Sequence, residues 1–269
     1  MVATRVGIIG NGHLGKFLYE ELGKREEFVV IRVWNRTSSE GILPLEGITP
    51  QNLQDLDLVV EVAHPAILAQ YIDVILENTN LFIGSPTCLA NQLIMDKIEA
   101  HLKTNLNRKV FVPAGAFWGG NDVQKMAEKG LLKSLTVTMT KHPNSFKLED
   151  PLKGANEKAK SLTEPTVLYE GSVRGLCPLA PNNVNTMAGA AVAAQNLGFD
   201  GVKARLVSDP SLIDWHIVEV LAEGPDGFQV HTIRKNPAKP GAVTGQLTYF
   251  SFLSSIQETL HKPSGLQIC

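Results

Sequence analysis

A glycine-rich turn near the start of the chain is the feature that most limits its fold. A β-branched run at residues 6–9 leads into this turn, and apolar residues then recur at helical spacing as far as Leu22. In such a unit, glycines allow the tight turn, the approach of a phosphate to the backbone, and close packing of helix on strand. The turn therefore predicts a dinucleotide, NAD or NADP, at the helix N-terminus. The predicted contacts are Gly10, Asn11, Gly12, His13, Leu14 and Gly15.

Strand-like and helix-like patterns alternate through the rest of the first part of the chain. The strand-like runs are apolar and short, and the intervening patterns show helical spacing. They lie at residues 28–34, 56–62, 81–84 and 109–112 for strands, and at 66–76 and 91–102 for helices. Such alternation is typical of βαβ units and a parallel sheet. We therefore predict an α/β protein with an N-terminal Rossmann domain at residues 1–113.

After Pro113 the pattern changes to strict apolar/polar alternation, which is typical of half-buried antiparallel strands. The alternating segments lie at residues 135–140, 202–207, 215–220 and 228–233. An Ala-rich helix is predicted at 185–196, capped by Asn182 or Asn183, and residues 147–166 read as a polar surface excursion. We predict an α+β substrate domain with a mainly antiparallel sheet at 114–243. A C-terminal helix at about 244–262 is expected to pack back on the first domain.

The loops that follow the first-domain strands supply further candidate cofactor contacts. The second strand ends at Asn35 and Arg36, where many dinucleotide-binding proteins carry an acid that binds the adenosine ribose. A neutral amide beside a guanidinium tolerates or favours the 2′-phosphate of NADP, although Arg36 could equally be a solvated charge. NAD and NADP both stay open, with a preference for NADP. Ala63 and His64 follow the next long strand and are predicted cofactor contacts.

Composition narrows the class of partner. The 269 residues carry a formal net charge of −2 with no dense run of Lys or Arg, which argues against nucleic acid and anionic membranes. Three scattered cysteines lack metal-ligand spacing, so we predict reduced thiols and no metal site. No signal peptide or membrane span is recognisable. We expect a cytoplasmic protein that acts on a small molecule.

Two residues of the second domain are candidates for chemistry. His216 lies in an alternating strand, where a single histidine is more often structural than catalytic, so its position alone does not assign a role. Lys141 ends another strand and could pair with a substrate carboxylate or simply be solvated. Spacing in the sequence does not decide either question.

Taken together, the motifs resemble the L-aspartate dehydrogenase family over nearly the whole chain. The matching pieces keep the family's order along the sequence, and the Asn-Val-Asn and Asp-Pro…His pieces are more specific than the glycine turn. They are residues 6–15, 57–63, 113–116, 169–172 and 181–185, and Asp209-Pro210 followed by His216.

The resemblance implies a reversible oxidation of L-aspartate at C2, giving iminoaspartate and then oxaloacetate and ammonia, with the hydride passing to the nicotinamide. It places the family's catalytic histidine on His216 and its nicotinamide contacts on Ala116 and Asn185. Imidazole suits acid–base chemistry, because its unperturbed pKa lies near neutrality. By analogy of fold, the antiparallel sheet could also supply a homodimer surface.

The chain departs from the family pattern beside the implied active site. Asp214 replaces a common asparagine, Ala114 stands where serine is frequent, and Phe117-Trp118 replace smaller residues. These changes leave two alternatives to aspartate oxidation. One is a dehydrogenase or reductase of another amino or imino acid, and the other is a redox sensor that binds NAD(P)H without chemistry.

Overall fold

The computed structural model describes residues 2–242 and 246–269. The strands are β1 Thr4–Ile9, β2 Phe28–Asn35, β3 Leu43–Pro44, β4 Leu58–Glu61, β5 Asn80–Ile83, β6 Lys109–Val112, β7 Ser134–Lys141, β8 Thr166–Ser172, β9 Lys203–Ser208, β10 Trp215–Glu223, β11 Gln229–Pro237 and β12 Gly265–Ile268. The helices are α1 His13–Leu22, α2 Pro50–Leu53, α3 Pro65–Asn78, α4 Gln92–Thr104, α5 Gly120–Glu128, α6 Leu152–Ala159, α7 Val173–Leu176, α8 Asn185–Ala193, α9 Gly198–Gly201 and α10 Gln246–Glu258. Among the described residues, no helix is both long and apolar enough to cross a membrane.

The chain divides into two compact units. The first runs to Pro113 and includes Phe252–Gln267 and Cys269, and the second comprises Ala114–Ser251 and Ile268. Each unit has its own sheet.

The first unit is built on a seven-stranded sheet in the order β12-β6-β5-β4-β1-β2-β3. Strand β1 pairs in parallel with both β2 and β4, so the strand order reverses beside β1. This is the Rossmann order with one added strand, and ligands of such sheets bind at the carboxyl ends of the strands near the reversal. The central strands are mostly apolar, as expected for a parallel sheet with both faces covered, and β4 is buried at all four positions, Glu61 included.

The C-terminal segment contributes to the core of the first unit. Phe252, Leu253 and Ile256 of α10 lie in one apolar cluster with Val6 and Phe82. The rings of Phe82 and Phe252 meet edge to face at 6.3 Å, a favourable aromatic geometry. Helix α10 covers most of the segment predicted as helix at 244–262, but the predicted start at 244 lies outside the described residues.

The second unit is an α+β arrangement around a five-stranded sheet in the order β11-β10-β7-β9-β8. All neighbouring strands are antiparallel except β7 and β9, which are parallel. Burial alternates along β7 and β10, as expected for a sheet with one covered face. The fold class predicted from the sequence, a Rossmann sheet followed by a mainly antiparallel sheet, is confirmed.

Two local predictions were wrong. The polar stretch at 147–166 contains helix α6, whose Asn156 is buried and donates to the carbonyl of Pro143 and accepts from the hydroxyl of Ser208. Helix α6 has too few apolar residues to produce a helical pattern in the sequence. Helix α8 has Val184 rather than Asn182 or Asn183 at its N-cap, with no side-chain cap, because Asn183 bonds the backbone of Lys147 instead.

Candidate functional site

The three glycines of the first-unit turn differ in how closely other backbone atoms approach them. Gly10 has a φ of +115°, and a Cβ there would lie 2.9 Å from the carbonyl oxygen of Val62. A Cβ on Gly15 would lie 2.0 Å from the carbonyl oxygen of Gly10, whereas a Cβ on Gly12 would meet nothing within 4 Å. Gly10 and Gly15 are therefore required by close backbone contacts. Gly12 instead leaves open space in front of the helix.

Helix α1 begins beside this open space. Gly12 is its N-cap and supplies no side-chain hydrogen bond, and the first turn contains no acidic residue. The first N–H groups of a helix lack intrahelical acceptors and form an electropositive end. The turn can therefore receive an anion such as a pyrophosphate. His13 is exposed and Leu14 half-buried at this end.

Asn35 connects the turn to the end of β2. Its Oδ1 accepts from the N–H of Asn11 at 3.4 Å, and its Nδ2 donates to the carbonyl of Thr37 at 3.3 Å. Arg36 beside it is exposed. No ion pair of Arg36 occurs within residues 2–242 and 246–269, so the guanidinium is available to an external anion.

A buried carboxylate, which the sequence analysis missed, organises the neighbouring loops. Glu61 ends β4 and accepts from the N–H of Ala63 at 2.7 Å and from the N–H and hydroxyl of Ser85 at 3.0 Å each. Burial raises the pKa of Glu61, and these hydrogen bonds oppose that effect. His64 is exposed and caps α3, its Nδ1 accepting from the N–H of Ala66 at 3.2 Å.

In the second unit, four buried polar residues form a row across the sheet. The β7–β10 register pairs Ile217 with Thr140, so one step further places His216 opposite Lys141. His216 pairs with Asn236 on β11, and Lys141 with Ser208 on β9. Opposite residues on neighbouring strands share a face of the sheet. The exposed fractions are 0% for Ser208, 3% for Lys141, 5% for His216 and 4% for Asn236.

Lys141 is a buried cation. Its Nζ lies 3.5 Å from the carbonyl oxygen of Asn183 and 5.8 Å from the centre of the Phe146 ring. Burial lowers the pKa of Lys141 to about 8, because desolvation disfavours the charged form. The ammonium is therefore mostly charged at neutral pH, and burial makes that charged form costly.

His216 is neutral at pH 7. Burial first, and then the charge of Lys141, lower its pKa to about 4, while a hydrogen bond with the backbone of Ala242 acts in the opposite direction. Among the described residues, the buried Nε2 of His216 has no hydrogen-bond partner. Buried polar atoms without partners are rare. This nitrogen is consequently the best-placed atom of the row to exchange a proton with a ligand.

A second network reaches the row from β11. Asn236 donates from Nδ2 to the carbonyl of His216 at 3.4 Å and accepts at Oδ1 from Nε of Arg234 at 2.8 Å. Arg234 also donates from Nη1 to the carbonyl of Gly115 at 3.0 Å, and the hydroxyl of Ser251 donates to the same carbonyl at 2.9 Å. Arg234 thus connects the His216 row to the loop that carries Ala116.

The remaining predicted residues of the second unit lie near this loop or at the start of α8. Ala116 is buried. Asn185 begins α8, and its buried Oδ1 has no partner in the part of the chain that the structure describes. Of the two bulky residues that follow Ala116, Phe117 packs on Gly120 inside the unit and Trp118 is 66% exposed.

Sequence reasoning missed Glu61, Ser208, Asn236 and Arg234. Glu61 could have been found as an acid inside an otherwise apolar strand pattern, since buried acids are rare unless they are hydrogen-bonded. The other three look like ordinary polar residues near strand ends. Only the register of four strands brings them beside Lys141 and His216.

Comparisons with known proteins identify the family of this chain. A family described as "Aspartate dehydrogenase, C-terminal" matches residues 122–258. The aspartate dehydrogenase domain-containing protein of Xenopus tropicalis is 47% identical over 271 residues, covering 94% of this chain and 93% of that protein. The L-aspartate dehydrogenase of Thermotoga maritima is 32% identical over 255 residues, covering 93% and 95%.

A solved structure extends the similarity to the fold. The crystal structure of aspartate dehydrogenase from Thermotoga maritima matches with a TM-score of 0.71 at 26% identity, covering 96% of this chain and 95% of that chain. The enzyme class predicted from the sequence, a dehydrogenase, is confirmed. This chain belongs to the aspartate dehydrogenase family.

Proposed function

We propose that this chain is an NAD(P)-dependent L-aspartate dehydrogenase. It oxidises L-aspartate at C2 to iminoaspartate, which water converts to oxaloacetate and ammonia, and it also catalyses the reverse reductive amination. The observation that carries the proposal is the buried row of Lys141, His216 and Asn236 in a member of this family. In this row Lys141 is a cation that can bind a substrate carboxylate, and His216 is a neutral base.

Residues of the first unit fit the phosphate part of a nicotinamide dinucleotide. The open space at Gly12 and the uncapped start of α1 suit its pyrophosphate. In this proposal the turn from Gly10 to Gly15, with Ala63 and His64, holds the phosphates. Asn35 and Arg36 hold the adenosine ribose and favour NADP over NAD, because a guanidinium pairs well with phosphate oxygens.

The family resemblance assigns Ala116 and Asn185 to the nicotinamide end. Ala116 would lie against the ring, and the buried Oδ1 of Asn185 would accept from the carboxamide, which would satisfy an atom that has no partner among the described residues. When bound, the cofactor accepts the hydride that leaves C2 of the substrate. The chain's own contribution is orientation and proton transfer.

Proton transfer falls to His216. Lys141 binds a substrate carboxylate, and the negative charge offsets the ammonium that helps to lower the pKa of His216. The pKa of His216 therefore rises when substrate binds. Its neutral Nε2 then accepts a proton from the water that attacks the imine carbon, and returns it to the departing amine.

The test compares wild-type protein with His216→Ala and His231→Ala. We measure NAD(P)H formation with L-aspartate, and its consumption with oxaloacetate plus ammonia. His216→Ala should lower kcat by about 10²- to 10⁴-fold, as for the loss of an acid–base group, with cofactor affinity unchanged. His231→Ala should behave as wild type, because His231 is exposed and bonds Glu219 instead.

Each contrary result has a specific meaning. Cofactor binding without turnover of aspartate or oxaloacetate would remove the aspartate assignment, and turnover of another amino or imino acid would replace it. Full activity in a folded His216→Ala protein would remove the role of His216. Binding of NAD(P)H with no hydride transfer to any substrate would indicate a redox sensor. A cytoplasmic location and a homodimer stay predictions from the sequence.

A further inference from the structure

Arg234 is a half-buried cation that the proposed reaction does not yet use. It lies on β11 opposite Val218, two residues before Asn236 and on the same covered face of the sheet as His216. Its side chain extends along the strand toward the His216 row, because its Nε donates to Asn236 Oδ1 at 2.8 Å. Nη1 is held by the carbonyl of Gly115 at 3.0 Å.

These two contacts leave most of the guanidinium available. A guanidinium has five N–H donors, and the hydrogen bonds to Asn236 and Gly115 use two of them. Burial lowers the pKa of Arg234, and no carboxylate of the described residues opposes that effect. Both acceptors are neutral, so the charge of a half-buried arginine is not balanced within the described part of the chain.

The position of Arg234 relative to Lys141 indicates a ligand class. The two cations lie on either side of the His216 strand, and Lys141 and Asn236 are separated by two strand spacings, about 10 Å. Both side chains are longer than the polar residues between them. A small dianion over His216 could therefore meet one cation at each end.

We infer that Arg234 is a specificity-determining residue that binds the second carboxylate of a dicarboxylic substrate, while Lys141 binds the first. The inference rests on the proposed function and extends it. Arginine suits this task because its planar fork binds a carboxylate through two parallel hydrogen bonds. The contacts to Asn236 and Gly115 hold the fork in place before substrate arrives, which reduces the entropic cost of binding.

The test uses the full chain saturated with NADPH and two unreactive acids of equal carbon number. Succinate has two carboxylates, and butyrate has one and is otherwise alike. Calorimetric titration should show that wild-type protein prefers succinate, and that Arg234→Met weakens succinate binding by about 10- to 100-fold while butyrate is unchanged. Arg234→Lys should fall between the two, since it keeps the charge and loses the fork.

Arg205→Met is the matched control. Arg205 is exposed on β9 and faces Glu170 at 3.6 Å, so the preference for succinate should stay as in wild type. In kinetics with L-aspartate, Arg234→Met should raise KM more than it lowers kcat. A residue that only supported the Gly115 loop would lower kcat and weaken both acids alike.

The outcomes separate this inference from the proposed function. The inference would be overturned if wild-type protein bound succinate no more tightly than butyrate. It would also be overturned if a folded Arg234→Met protein kept the preference for succinate. Either result would count even if the chain oxidises aspartate. A preference that depends on Arg234 without any turnover of aspartate would support the dicarboxylate site and overturn only the assigned reaction.

Discussion

The glycine-rich turn of the first unit and the polar row of the second, the two proposed ligand sites, are built in opposite ways. The turn relies on backbone: Gly10 and Gly15 permit close contacts, and the start of α1 presents N–H groups without side-chain caps. The row relies on side chains, with Lys141 and His216 buried on adjacent strands. The turn therefore contains no buried charged side chain, whereas the row keeps the charge of Lys141 away from water.

This difference has an energetic consequence. Lowering the pKa of Lys141 from 10.5 to about 8 corresponds to a cost on the order of 3 kcal/mol for its charged form. The turn carries no comparable cost, because partial charges on N–H groups are intrinsic to a helix end. Substitutions in the turn should therefore damage folding or binding through shape. Substitutions that remove a buried charge from the row should raise the free energy of unfolding and lower the catalytic activity.

The largest expected effect comes from Gly15→Ala, compared with Gly12→Ala. The new methyl group at position 15 would lie 2.0 Å from the carbonyl oxygen of Gly10, so the turn must move. We expect a loss of about 3 kcal/mol in the free energy of unfolding, with NADPH affinity falling about 100-fold or more. At position 12 the methyl group meets nothing within 4 Å.

Gly12→Ala should therefore weaken NADPH binding with a loss of stability below about 1 kcal/mol. Urea denaturation and fluorescence titration with NADPH give the two quantities. If Gly12→Ala binds NADPH as tightly as wild type, the space in front of α1 is not the phosphate site.

Lys141→Met should separate stability from activity in the row. We expect kcat/KM for L-aspartate to fall by about 10- to 100-fold, as for the loss of a charged hydrogen bond. The free energy of unfolding at pH 7 should rise by about 1 kcal/mol, because removal of a buried charge outweighs the loss of the interactions of Lys141, among them the hydrogen bond to Asn183. Lys203→Met, at an exposed position, is the control. A destabilised Lys141→Met protein would contradict this account.

The pH dependence of the row follows from its depressed pKa values. His216 takes up its proton only near pH 4 when folded but near 6.5 when unfolded, so stability should fall as pH drops from 6.5 to 4. Lys141 loses its proton near pH 8 when folded but near 10.5 when unfolded. Its contribution to stability should therefore rise as the pH increases from 8 to 10.5.

NMR titration of the His216 ring measures the first of these shifts directly. In Lys141→Met the pKa of His216 should move up from about 4, because the ammonium that lowers it is gone. It should not reach 6.5, since burial is the larger cause. An unchanged His216 titration would show that the two side chains are not electrostatically coupled.

The smallest expected effect concerns the choice between NAD and NADP. Arg36 is exposed, so its pairing with a 2′-phosphate is partly screened by water and salt. Arg36→Ala should weaken NADPH binding by less than about 10-fold and leave NADH binding unchanged. Titrations at low and high salt measure both. Equal affinity for NADPH before and after the substitution would mean that Arg36 is only a solvated charge.

More could be predicted from the sequence for the first unit, whose site depends on backbone, than for the second unit, whose site depends on side chains from several strands. Strand, turn and helix at residues 6–22 are local patterns, so the Rossmann sheet, the tight turn at Gly10 and the close packing at Gly15 could be predicted. Helix α6 could not, since its buried face consists of Leu152, Asn156 and Ala159 in a polar context. The proximity of Arg234 and Asn236 to His216 was also invisible.

What the sequence determined by itself was the alternation of strands and helices in residues 6–112, the glycine turn and, through ordered motifs, the family. Those features are local, because backbone conformation and apolar periodicity depend on residues a few positions apart. Only the tertiary structure decided which polar residues meet. Lys141, Ser208, His216 and Asn236 come from four strands, and strand register, which is set by packing across the sheet, places them on one buried row.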